Sequence, residues 1–327
     1  MTGYKKLIFA ALILTFLVVP LGAYVRLSNA GLGCPDWPGC YGQITPHHAA
    51  EAINAALQAN PNGVVSHDKA WKEMVHRYFA GTLGVLILAI FVVAWRQRRH
   101  IQGGLGLPLT LLVMIVFQAL LGMWTVTELL KPFIVSAHLL GGMTTLALLV
   151  WLWRRESVRS HHAYFAPVHH LRGAVILGLV LVIVQIALGG WVSANYAALA
   201  CTDFPTCQGQ WMPAMDFEHG FTLGRNLGET ASGELLSLNA LTAIHWSHRV
   251  MALVVTLYLA WLASRLYKIS GYTGIASLLL GVLVLQVLLG ISNVVFSLPL
   301  PVAVAHNAGA ALLLAGMVML NYRVLRK

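Results

Sequence analysis

Eight stretches of about 20 mostly apolar residues recur along the chain, at approximately 7–27, 74–95, 105–126, 133–153, 171–194, 241–264, 272–296 and 301–320. That is the length a helix needs to cross the hydrocarbon layer. Lipid offers no partners for backbone polar groups, so such segments must satisfy their own hydrogen bonds as helices. Composition agrees: 58% of the 327 residues are apolar and 10% are charged, against roughly 25% charged in soluble chains. The expected fold class is therefore all-α and integral to the membrane, with eight transmembrane helices. An ordinary soluble enzyme, a disordered chain and a DNA-binding module are excluded. Leu7–Tyr24 has the apolar length of a signal peptide. It lacks a clean small-residue cleavage site and Arg26 follows directly, so it is read as a retained first span.

The net charge of +10 orients the chain. Lys5, Lys6, Arg96, Arg98, Arg99, Arg154, Arg155, Arg159, Arg172, Arg265, Lys268, Arg323, Arg326 and Lys327 all fall on one side, 14 of the 21 Lys and Arg residues. The positive-inside rule puts that side, and both termini, in the cytoplasm. Two long loops, about 28–72 and 195–240, then face outward from a bacterial-type plasma membrane. The basic character is spent on topology, and no nucleic acid is implied.

The chain repeats itself. Leu21-Gly-Ala-Tyr-Val25 resembles Leu188-Gly-Gly-Trp-Val192, and Cys34-Pro-Asp-Trp-Pro-Gly-Cys40 resembles Cys201-Thr-Asp-Phe-Pro-Thr-Cys207. His76-Arg77 matches His248-Arg249, Gln118-Ala-Leu-Leu-Gly122 matches Gln286-Val-Leu-Leu-Gly290, and Ala137-His138 matches Ala305-His306. The offsets are 167, 167, 172, 168 and 168. Two tandem four-helix bundles are expected, 1–160 and 161–327, sharing one orientation and related by a pseudo-two-fold axis along the membrane normal. Bundle cores of this type host cofactors.

All four cysteines lie in the outward loops as two C-x5-C pairs, where disulfides persist; Cys34–Cys40 and Cys201–Cys207 are the expected bridges. A structural staple for the local turn and a redox-active pair both remain open. The spacing suits neither zinc nor a C-x-x-C-H haem attachment.

Of fourteen histidines, His47, His48, His67, His100, His161, His162, His169, His170 and His219 read as loop or loop-edge residues. His76, His138, His248 and His306 obey the repeat, and each pair falls at similar depth on spans running the same way. Imidazoles facing lipid are costly, so these should point into the bundle. Two imidazoles facing each other at one depth hold a haem iron from both sides, which makes these four the expected axial ligands. The competing reading is a set of histidines hydrogen-bonded across helices. Arg77 and Arg249 follow the first histidine of each pair and would reach haem propionates bidentately, or snorkel to lipid headgroups. Gly122, Gly189 and Gly290 each sit four residues after a glutamine, where a missing side chain admits either a porphyrin or a neighbouring helix.

The halves differ in one telling place. Glu73 stands three residues before His76, and His245 stands three before His248. An i, i+3 pair shares a helix face, so a carboxylate beside one pocket and an imidazole beside the other imply different tasks. Glu73 would accept a proton or stabilise positive charge, or else simply complement the helix dipole. No carboxylate falls mid-membrane, which weighs against ion-coupled transport. No glycine-rich nucleotide motif is present.

Arg26-Leu-Ser-Asn-Ala-Gly-Leu-Gly-Cys34-Pro-Asp-Trp-Pro-Gly-Cys40, Glu73-x-x-His76-Arg77, Ala137-His138, His248-Arg249 and His306 together resemble the haem A synthase family (CtaA/Cox15) over essentially the whole chain. The resemblance implies an eight-helix membrane oxidoreductase that oxidises a methyl group of haem O to the formyl group of haem A, which then serves terminal oxidases. It implies haem b held by His248 and His306 in the C-terminal half. The substrate haem is implied to lie between His76 and His138, with Glu73 near its reacting edge as the catalytic group. Implied partners are membrane lipid, haem O handed over by a haem O synthase, an unnamed electron acceptor and, as one option, further copies of the chain. The alternative is a two-haem cytochrome b that only transfers electrons, which explains the four histidines but leaves the Glu73/His245 difference without a purpose.

Overall fold

A computed structural model describes residues 3–61, 63–101, 103–157 and 168–326. Arg159, His161, His162 and Lys327 lie outside the described residues. All eight expected spans are helices: α1 (Gly3–Leu27), α3 (His67–Arg96), α4 (Gly106–Thr127), α5 (Pro132–Ser157), α6 (Arg172–Ala194), α8 (Leu238–Tyr267), α9 (Thr273–Val295) and α10 (Leu300–Leu325). Each is long and apolar enough to cross a membrane, so the protein is a multi-pass membrane protein. Two shorter helices, α2 (Ala50–Ala59) and α7 (Phe217–Phe221), lie in the long loops. Outward-facing apolar side chains such as Val85, Val113 and Leu257 are exposed, as lipid-facing positions must be.

Two helices begin earlier than their hydropathy shows. α3 starts at His67, after Ser66 accepts a hydrogen bond from the Lys69 N–H, and α8 starts after Ser237 accepts from the Ala240 N–H. These hydroxyl caps satisfy donors of the first turn. They carry the helix above the apolar run through polar residues such as Asp68 and Lys72. His67, read from the sequence as a loop or loop-edge residue, is the first residue of α3, with its Nε2 2.8 Å from Asn54 Oδ1.

Helices α1, α3, α4 and α5 contact one another in a closed ring, and α6, α8, α9 and α10 form a second ring with the matching neighbours. The rings meet through α1 on α10, α5 on α6 and α5 on α10. Under the repeat, where α1 corresponds to α6 and α5 to α10, the first two seams are copies of each other and the third is its own copy. Local backbone repeats as well. Asn29, Tyr41, Leu129 and Leu130 have positive φ, as do Tyr196, Gln208, Ser297 and Leu298 at offsets of 167 or 168. Asp36 accepts from the Tyr41 and Gly42 N–H groups, and Asp203 accepts from those of Gln208 and Gly209. The Thr206 hydroxyl and these N–H groups hold the Asp203 carboxyl below its usual range.

The apolar core fills the end of the bundle away from the cysteine loops. In the first ring it comprises Ile8, Ala11, Ile87, Ile90, Ala94, Leu111, Leu149 and Leu152; in the second it runs through Val175, Leu259, Leu262, Leu266, Leu314, Met317 and Leu320. Between this core and the loops the side chains draw back.

Candidate functional site

The space they leave is one cavity of about 1410 Å³, lined by His76, His138, His248 and His306 together. Pockets for one small molecule measure roughly 300–1,000 Å³, so this one has room for more than one ligand. Within it the histidines form two couples: His76 on α3 is in electrostatic reach of His138 on α5, and His248 on α8 of His306 on α10.

Each imidazole is backed by a glycine on the adjacent helix. A Cβ added at Gly22 or Gly189 would lie 3.0 Å from Cε1 of His76 or His248. One added at Gly122 or Gly290 would lie 3.3 or 3.4 Å from Cε1 of His138 or His306. The glycines thus let each ring lie against the neighbouring backbone, leaving the cavity clear. A second layer repeats the device: any Cβ at Gly141 or Gly309 would run into the amide of Gln118 or Gln286.

Among the described residues, several polar atoms here meet no hydrogen-bond partner. Nδ1 of His76, His138 and His306 is buried without a hydrogen bond, as are Nε2 of Gln118 and Oε1 of Gln286. Stranded polar atoms cost about 1–3 kcal/mol each. Coupled imidazoles that line an apolar-walled cavity, each resting on glycine, form a donor set that fits the two axial positions of a haem iron. His248 differs from His76 in having a partner, Gln185 Nε2 at 3.1 Å from its Nδ1; at the matching place on α1 stands Val18.

The arginines do more than the sequence shows. Arg77 donates to the carbonyls of Asp36, Pro38 and Gly39 in the first cysteine loop. Arg249 donates to those of Cys201, Asp203 and Thr206 in the second. Both line the cavity, yet Nη1 of Arg77 and both Nη groups of Arg249 clamp a loop to a helix, while Nη2 of Arg77 and Nε of Arg249 are engaged by Glu73 and His245 on their own helices. Cys34–Cys40 and Cys201–Cys207 are disulfide-bonded at the same places.

Glu73 is buried, 4% exposed, and lines the cavity. Its Oε2 accepts from the Cys34 N–H at 3.0 Å and its Oε1 pairs with Arg77. Its counterpart His245 also lines the cavity, its Nε2 accepting from Arg249 Nε at 3.2 Å. The asymmetry read from sequence is thus a difference between a carboxylate–guanidinium pair and an imidazole–guanidinium pair.

Sequence reasoning missed four lining residues. Arg26, 9% exposed, reaches from α1 across the seam to the Ala194 carbonyl at 3.1 Å and lies over the Tyr196 ring. Gln185 was visible only as part of a spacing pattern. Asn293 and Asn307 carry buried, unpartnered Oδ1 atoms where the first half has Thr125 and Leu139. Comparison of the halves position by position finds all four.

Fold and site together define a polytopic helical membrane protein with two histidine couples opening into a shared cavity. The sequence model of the COX15-CtaA family, described as cytochrome oxidase assembly protein, matches residues 5–318, and the chain belongs to that family. It is 43% identical to a protein of Shewanella oneidensis named heme A synthase, over 95% of this chain and 93% of that protein. It is also 30% identical to a heme A synthase of Shouchella clausii, over 75% and 76% of the two chains. A third heme A synthase, from Allorhizobium ampelinum, is 28% identical over 91% and 84%.

Proposed function

We propose that the chain is a haem A synthase, an oxidoreductase that converts haem O to haem A by oxidising a porphyrin methyl group to a formyl group. The observation that carries this reading is a shared cavity with two histidine couples and a fixed carboxylate beside only one of them.

In this reading residues 1–160 bind haem O, with His76 and His138 on its iron. Residues 161–327 bind haem b through His248 and His306. Haem b, when bound, supplies one-electron transfer away from the substrate. The protein's own residues supply position and field. Gly22 and Gly122 set the substrate's ligands at a fixed depth. Glu73 presents a negative charge where the oxidised carbon becomes electron-poor, in a site walled largely by apolar side chains where such a charge acts strongly. Both its oxygens already accept hydrogen bonds, so its charge, more than its basicity, is what it offers. Arg77 and the Cys34 N–H are positioning groups for it. His245 puts no fixed negative charge beside the second couple, as suits a site that holds a cofactor unchanged.

The distribution of basic residues supports a topology with both termini in the cytoplasm and the cysteine loops on the outer face of a bacterial plasma membrane. The partners this implies are a membrane-bound haem O synthase as donor and a separate electron acceptor. The test is to express the chain with a haem O supply and identify extracted haems by mass. Haem A is expected. Haem b alone would return the protein to the electron-carrier reading, and haem O recovered unchanged would make it a carrier.

A further inference from the structure

The cavity is deeper in the first half than in the second. On α3 it is lined as far as Leu88 and on α4 as far as Leu112 and Val116; their counterparts on α8 and α9, Ala260, Leu280 and Val284, do not line it. Leu88 stands twelve residues beyond His76, about 18 Å along the helix at ~1.5 Å per residue. The opening has a cause in sequence. Gly81 and Gly84 face it, where α8 carries Leu253 and Thr256. A Cβ at Gly81 would meet nothing within 4 Å, and one at Gly84 only Ile115 Cγ1 at 4.0 Å. Helix packing therefore does not require these glycines; they leave a groove empty. Leu88 and Val116 line the cavity, are 49% and 56% exposed, and share helix faces with Val85, Val92 and Val113, which are exposed without lining it, so the groove opens sideways between α3 and α4.

We propose that this groove holds the isoprenoid chain of haem O and is the lateral entrance by which the prenylated haem arrives from the bilayer. The inference rests on the haem A synthase reading and deepens it. The groove is continuous with the His76/His138 couple, and its walls are apolar and long enough for an extended farnesyl chain. In the second half, which in this reading binds an unprenylated haem, Leu253 and Thr256 replace the two glycines and the cavity stops short of the matching depth. Packing of the chain against the groove walls, a contact that protohaem has no chain to make, is what selects haem O over protohaem.

The test titrates purified protein, with its second haem in place, with haem O and with protohaem. Wild type should favour haem O at least about tenfold. Gly81→Leu with Gly84→Thr reproduces the residues of the second half in space that is already open, and Leu88→Trp fills only the far tip. Both variants should lose haem O affinity at least about tenfold, keep protohaem affinity within about twofold and retain their resident haem. Haem O binding unchanged in both variants overturns the groove, as does loss of protohaem in parallel with haem O, or a wild type without preference. Conversion of haem O by wild type is read separately, so failure of the enzymatic reading is not confused with failure of the groove.

Discussion

Glu73 Oε2 accepts the Cys34 backbone N–H at 3.0 Å, so the carboxylate of the candidate site is held by the residue that opens the first disulfide. The loop, the bridge and the charge form one unit. Replacing Glu73 with Gln preserves an acceptor for Cys34 but removes the anion that pairs with Arg77. Conversion of haem O should fall at least about 100-fold, the scale of losing one preorganised electrostatic group, while the resident haem stays bound. Extracted-haem profiles check this; normal haem A output would remove Glu73 from the mechanism.

The same unit predicts a split between the two bridges. Each closes a short loop, six residues in separation, worth about 2 kcal/mol by loop entropy. Cys34→Ser with Cys40→Ser should lower both thermal stability and turnover, because the N–H that holds Glu73 is loosened. Cys201→Ser with Cys207→Ser should lower stability alike and leave Glu73 in place. Turnover normalised to bound haem separates the two.

Gly22→Val and Gly189→Val should each empty one pocket. The new side chain starts 3.0 Å from the Cε1 of His76 or His248 and pushes the ring off its seat. Low-spin haem absorbance should be lost from the first pocket in one variant and from the second in the other, with the untouched pocket serving as the folding control.

Gln185→Leu removes the amide beside the His248 ring. In the proposed arrangement an imidazole that would hold iron through Nε2 carries its proton on Nδ1, and the otherwise unpartnered Gln185 Oε1, turned toward it, would accept a hydrogen bond from that proton. Groups that orient a ligating imidazole typically contribute 10–100-fold in metal affinity. The variant should lose its C-terminal haem about that much more readily in competition with apomyoglobin and shift its reduction potential. Val18→Gln, the reciprocal change on α1, should strengthen haem retention in the first pocket.

Much of this architecture is legible without coordinates, for identifiable reasons. Lipid demands long apolar runs, so eight helices stand out, and the repeat isolates His76, His138, His248 and His306 from ten other histidines because chance does not preserve offsets of 168 and 172. The upper turns of α3 are illegible to hydropathy, because Ser66, Asp68 and Lys72 make a helix by capping and charge. The roles of Arg77 and Arg249 depend on where a loop forty residues away folds back, which spacing does not encode. The groove beside Gly81 and Gly84 lies between these cases: the glycines are plain in the sequence, but only the width between α3 and α4 shows that they leave space unfilled.

The two rings meet through matching faces, as identical subunits do across a two-fold axis. In a true dimer of identical chains every substitution is made twice, and a residue that sharpens one pocket is imposed on the other. Carried on a single polypeptide, the same seam lets Val18 differ from Gln185, Glu73 from His245 and Gly81 from Leu253. Covalent linkage of the halves is therefore what lets the two histidine couples of one shared cavity have different surroundings.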